Sequence, residues 1–198
     1  MKRLLVAVAV AVVVVAMAMA VSPAGAVDMS MGIHAGIANP SLSCDGCDRL
    51  SVNHQSDYGV ELRAFTPVWR SVSLGGEVAY DMTGRGNVRV DGAKVGTVRD
   101  HAWSLMPMVK VNVIKKLDVY AGAGIVQSRI KVTDSETGEG VSSTDRVAFI
   151  SKVGAEYQIY KSLGVYAQWQ YLKSDHIIYG TDVDYSQHAG QIGLAYHF

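Results

Sequence analysis
The chain has 198 residues, with 18 Lys and Arg balancing 18 Asp and Glu, 20 Gly, 10 Tyr, 3 Trp and two Cys. That charge balance argues against nucleic acid as a partner, and two cysteines exclude a disulfide-dense secreted scaffold. The length fits one domain, and the Gly and aromatic content, without any long amphipathic helical stretch, points to sheet.

Lys2 and Arg3 precede an unbroken apolar run over residues 4–21, and Ser22-Pro23-Ala24-Gly25-Ala26 carries an A-x-A cleavage signature. Residues 1–26 are read as a cleaved export signal and 27–198 as the mature domain. No Cys adjoins the cleavage site, which argues against a lipid-anchored lipoprotein.

From Val27 onwards, period-two alternation bounded by turn residues marks eight strands. The first, residues 29–37, sets Met31, Ile33 and Ile37 against Ser30, Gly32, His34 and Gly36. Residues 58–66 set Tyr58, Val60 and Leu62 against Gly59, Glu61 and Arg63, and residues 72–81 set Leu74, Val78 and Tyr80 against Glu77 and Asp81. Residues 101–113 follow, with Trp103, Leu105, Val109 and Val111 opposite Ser104, Met106, Met108 and Lys110. The scheme repeats over 117–132, 147–159, where Lys152 and Glu156 fall on the polar face, and 163–173. In the eighth strand, 190–198, Ile192, Leu194, Tyr196 and Phe198 share one face. Residues 67–71, 114–116 and 160–162 are tight turns, whereas 38–57, 82–100, 133–146 and 174–186 are longer and polar. Short and long connections alternate strictly, as in an up-and-down meander with every short turn at one end.

Alternation alone does not say whether the apolar face meets a core, as in a soluble lipocalin-like barrel, or lipid. Two features decide for lipid. The apolar face is almost free of charge, and aromatics gather at the strand ends: Tyr58, Tyr80, Trp103, Trp169 and Tyr171 towards the long connections, Trp69, Tyr160, Tyr196 and Phe198 towards the short turns. Strands that span lipid must pair every backbone donor and acceptor, so the sheet closes into an eight-stranded antiparallel transmembrane β-barrel. Eight strands leave a lumen filled by side chains. Glu61, Arg63, Glu77, Lys110, Lys152 and Glu156 are expected to neutralise one another there.

The export signal, eight alternating strands and a terminal strand ending Ala-Tyr-His-Phe resemble the small bacterial outer-membrane β-barrels of the OmpA-transmembrane and OmpX-like group. The resemblance implies short periplasmic turns, long extracellular loops and contact with outer-membrane lipid and lipopolysaccharide. It also implies that the last strand, with Tyr196 and Phe198, is read by the barrel-assembly machinery. The expectation is a monomer without cofactor.

Outside the barrel pattern, Cys44-Asp45-Gly46-Cys47 reads as a disulfide stiffening the first long loop. A redox dithiol, or a partial zinc site with Asp48 and His54, is the alternative. Ser174, Asp175 and His176, with Asp184, Ser186 and His188, suit a rim hydrolase or acyltransferase acting on lipid A. Parity turns Ser174 and His176 inward and Ser186 and His188 outward, which separates the two sets. Residues 133–144 are acidic, but Asp134, Glu136 and Glu139 match no calcium loop. Arg85, Arg89, Lys94 and Arg99 suit lipopolysaccharide phosphates. The resulting expectation is a non-enzymatic structural or surface-interaction barrel, with the rim enzyme and a narrow, low-conductance channel as alternatives.

A closed barrel resists detergent until boiled. The protein in mild detergent is therefore expected to migrate faster unboiled than boiled on a gel; identical migration, with solubility in plain buffer, would count against lipid-facing strands.

Overall fold
The computed structural model describes residues 27–44, 50–90, 93–134, 140–144, 148–178 and 181–198. The expected export signal lies outside the described residues. In chain order the strands are β1 (Asp28–Cys44), β2 (Leu50–Val52), β3 (Gln55–Pro67), β4 (Val72–Thr83), β5 (Gly86–Val90) and β6 (Ala93–Ile114). Then come β7 (Leu117–Asp134), β8 (Gly140–Thr144), β9 (Ala148–Tyr160), β10 (Leu163–Ile178) and β11 (Thr181–His197).

Eight of these strands close a ring by antiparallel pairing: β1 with β3, then β4, β6, β7, β9, β10 and β11, which returns to β1. Closure removes both sheet edges, so no row of backbone donors faces lipid. The three shorter strands lie beyond the ring on the long-connection side: β5 on β6, β2 on β5, and β8 on β7.

Outward residues form a continuous apolar band. Ile33, Ile37, Val60, Leu74, Val109, Ile125, Val153, Ile192 and Leu194 all stand exposed on it. Trp69, Tyr160, Tyr196 and Phe198 ring the short-turn end, with Tyr196 and Phe198 edge to face at 5.4 Å. At the other end Tyr80 lies 4.5 Å from Trp103, and Trp169 stacks with Tyr171 at 6.3 Å. Between the two belts a strand contributes about ten residues, the length that crosses a bilayer at a 45° tilt.

The strands do not stop at the upper belt. β6 runs for 22 residues and β7 for 18, about twice what lipid requires. Much of 38–57, 82–100, 133–146 and 174–186, expected as loop, is therefore β-structure. Beyond the belt the alternation keeps its parity but reverses its chemistry. Val98, Ile130 and Val132 turn inward, while Arg99, Arg129 and Lys131 turn outward. The physical reason is a change of solvent: the same outward parity meets lipid below the belt and water above it. Inside the upper wall, Val88, Val98, Ala102, Met106, Val126, Ile130, Ile150 and Leu172 pack into an apolar core.

Depth then sets the effect of an outward charge. Val153→Arg, in the middle of the band, is expected to destabilise the barrel by about 2–4 kcal/mol, whereas Lys131→Ala above the belt stays within about 0.5 kcal/mol. Equilibrium unfolding in lipid vesicles measures both.

Candidate functional site
The inward face of β3 carries Asp57, Gly59, Glu61 and Arg63 at alternate positions, and the register sets Arg63 directly across from Glu77 on β4. Arg63 is 2% exposed and organises the middle of the lumen. Its Nε donates to Glu77 Oε2 at 3.0 Å and its Nη1 to Glu156 Oε2 at 3.2 Å. Nη2 donates to the Tyr120 hydroxyl and to Gln168 Oε1, both at 2.9 Å, and also to Glu61. The guanidinium lies against two aromatic rings, 4.2 Å from the Tyr120 centroid and 4.7 Å from that of Tyr166. A planar cation with five donors suits this position, because it holds several carboxylates and stacks at the same time.

Lys152, fully enclosed, adds a second cation. Its Nζ donates to Glu61 Oε2 at 3.2 Å and to Glu77 Oε1 at 2.5 Å. Five of the six charges expected to pair, Glu61, Arg63, Glu77, Lys152 and Glu156, thus meet in one network. Lys110 does not join them. It sits at the short-turn mouth, paired with Asp28 and 3.8 Å from Asp118. The reason is register: Lys110 pairs Ser73 at the bottom of β4, two inward positions below Glu77. His197 joins the two groups, with Nδ1 3.1 Å from Asp28 Oδ1 and Nε2 2.5 Å from Glu156 Oε1.

Glycines on the lumen wall make room for aromatic rings. A Cβ on Gly154 would fall on the Tyr120 ring, and one on Gly193 on that of Tyr166. Both phenols lie buried beside Arg63.

Above Arg63 lies a second polar group, of which the strand pattern places His34, Asp81, Gln168 and Gln191 on the inward face but leaves Asp57 in a loop. Gln168 donates to Glu61 Oε2 at 3.2 Å and to Gln191 Oε1 at 2.7 Å, and Gln191 donates to Asp57. His34 Nε2 lies 2.8 Å from Asp81 Oδ1. The alternation that marks β3 does run on to Asp57, and following it two residues further would place this carboxylate in the lumen.

At the rim, residues from the two sets suited to nucleophilic chemistry fall on opposite faces of the wall. Ser174 is buried inside the wall, whereas His188 is exposed outside it, 4.8 Å from the Tyr171 ring and 5.5 Å from Trp169. The side chain of His176 lies outside the described residues, as do Cys47, with the disulfide expected to Cys44, and Glu136 and Glu139. On the outer wall the register brings cations side by side: Arg99 pairs with Lys131, His101 with Arg129, and Arg89 with Lys94. All of these but His101 are exposed; His101 is half-buried, with Nδ1 3.1 Å from the Tyr80 hydroxyl.

The family described as Outer membrane protein beta-barrel domain matches residues 6–198. Among solved structures, Neisserial surface protein A (NspA) is similar at 12% identity and a TM-score of 0.57, over 86% of this chain and 97% of that one. The outer membrane protein OprG from Pseudomonas aeruginosa gives 11% identity and 0.58, over 87% and 96%. Ail, the attachment invasion locus protein of Yersinia pestis, in complex with the heparin analogue sucrose octasulfate, gives 16% identity and 0.56, over 88% and 100%. At these identities the likeness is one of fold. No curated protein sequence matches the chain.

Removing the central guanidinium leaves Glu61, Glu77 and Glu156 facing one another with Lys152. Arg63→Met is expected to lower stability by about 3–5 kcal/mol, the usual effect of breaking a buried ion pair from one side. Pairing it with Glu77→Gln should recover part of the loss; urea unfolding in detergent micelles checks both.

Proposed function
The chain belongs to the outer membrane protein beta-barrel domain family, and from that premise we propose that it is a non-enzymatic surface-interaction protein whose lumen is sealed. It resides in the outer membrane, with its short turns periplasmic and its extended wall outside. The observation that carries the proposal is the Arg63 network. Arg63 on β3 binds groups from β4, β7, β9 and β10 across the lumen, so the middle of the barrel is occupied by paired charge and aromatic rings. The separation of Ser174 from His188 by the barrel wall supports a role without rim catalysis.

Contact with the surroundings then falls to the extracellular wall. Arg99, Arg129 and Lys131 form an exposed basic stripe just above the upper aromatic belt, at the height of lipid headgroups and sugar phosphates, and Arg89 and Lys94 extend it towards the tip of the β5–β6 hairpin. Lys and Arg at that level favour the phosphates of lipopolysaccharide. Ail is captured with a sulfated sugar analogue, and an anionic glycan is the kind of ligand this stripe suits. An apolar band that runs around the whole barrel supports a monomer surrounded by lipid. The exposed Tyr196 and Phe198 at the periplasmic end of β11 fit a role as the segment read by the assembly machinery.

The test combines two measurements. The protein in planar bilayers is expected to show no steady open conductance. Arg99→Ala with Lys131→Ala should weaken binding to lipopolysaccharide-containing vesicles several-fold at low salt and less at high salt, where screening already acts. A steady conductance, or lipopolysaccharide binding unchanged by both substitutions, would overturn the proposal.

A further inference from the structure
His34, Asp57 and Asp81 converge on the inward face of three neighbouring strands. The register aligns His34 with Gly59 and Gly59 with Asp81, so one row crosses β1, β3 and β4, with Asp57 one inward position above. The middle of that row is glycine for a reason of space: a Cβ there would collide with the His34 imidazole and the Asp81 carboxylate. The three side chains are buried, and each offers a ligand atom within 4.8 Å of the others.

The cluster is incompletely satisfied from within the protein. Gln191 donates to one oxygen of Asp57, and His34 lies against one oxygen of Asp81. Asp57 Oδ1 and Asp81 Oδ2 are buried and have no hydrogen-bond partner among the described residues, although Asp57 is fully enclosed and Asp81 only 4% exposed. Buried carboxylate oxygens without a donor are costly and call for a specific explanation. Arg63 and Lys152 do not supply one, because their donors go to Glu61, Glu77, Glu156, Tyr120 and Gln168.

We propose that His34, Asp57 and Asp81 bind a divalent transition-metal cation of the zinc class inside the barrel. One imidazole nitrogen and two carboxylates form a donor set that suits such ions, and their charge matches a dication. His34 also has an outer partner. Its Nδ1 lies 3.5 Å from the Tyr166 hydroxyl and 3.8 Å from Glu61 Oε2. With Nε2 on the metal, the ring proton sits on Nδ1 and points at these acceptors, the arrangement that fixes a ligating histidine. Binding requires only small shifts: the His34 Nε2–Asp81 Oδ1 contact of 2.8 Å opens to admit the ion, and all three ligand atoms already lie within 4.8 Å of one another. The metal joins the Arg63 network through Gln191, Gln168 and Glu61, so its occupancy stiffens the barrel rather than opening it.

The probe is Zn2+ itself, with full-length protein extracted in mild detergent without chelators. Elemental analysis is expected to find about one zinc per chain after equilibration with Zn2+. Calorimetric titration of chelator-stripped protein should give binding about tenfold or more weaker in Asp57→Asn and in His34→Gln, and unchanged in Asp28→Asn at the periplasmic mouth. Should either cluster variant fail to fold, wild-type protein refolded from urea decides: a higher unfolding midpoint in Zn2+ than in chelator supports the site. Wild-type protein that takes up no zinc even when refolded in its presence, or uptake unchanged by both cluster substitutions, overturns it and leaves a pocket satisfied by water.

Discussion
A backbone amide in lipid has no water to fall back on, and this single constraint orders the whole molecule. It requires the pairing of β11 with β1, since a sheet left open would present two unpaired edges to hydrocarbon. Closure with eight strands fixes a narrow interior, and strand parity fixes which residues enter it. The outward half of every spanning strand is committed to apolar side chains, so the inward half holds the polar ones. Glu61, Arg63, Glu77, Lys152 and Glu156 end up together because a lumen this narrow leaves them no solvent but one another. Their mutual pairing follows from closure and does not cause it.

A polar lumen also has a use in folding. If both faces of the strands were apolar, a slip of one residue would leave a strand as greasy outside as before, and nothing would define its register. Charges at alternate positions make such a slip prohibitive, because it would drive Arg63 or Glu77 into the bilayer. The buried ions of β3, β4 and β9 therefore specify the arrangement more than they stabilise it, in keeping with the modest net value of buried ion pairs.

The spanning strands and their aromatic belts are legible in the sequence because lipid imposes a uniform rule on the outward face from residue 29 to 37, from 58 to 66 and so on. The upper wall is less legible. Residues 82–100 and 174–186 contain polar and charged side chains at the parity that lower down is apolar, so they read as loop, although β6 and β10 run through them. Lys110 shows another limit: parity assigns it to the lumen, but only the register tells that it lies at the mouth beside Asp28, away from Glu77. His34 and Asp57 come together through pairing across β1 and β3, and no local spacing links two residues 23 positions apart. Short-range pattern carries the face of a residue; its height and neighbours come from pairing between strands.

The reversal of chemistry along β6 and β7 has a further consequence. Trp103 and Arg99 are four residues apart on one outward row, as are Ile125 and Arg129, so the passage from oily to charged wall occupies about 13 Å of strand. A barrel pushed deeper would submerge Arg99, Arg129 and Lys131, while one lifted higher would strand Ile125 and Phe149 in water. Both displacements are resisted, and the molecule rides at a set draught, like a hull with its load line drawn on. A thinner or thicker membrane must deform to meet that line, because the rigid, fully paired wall will not.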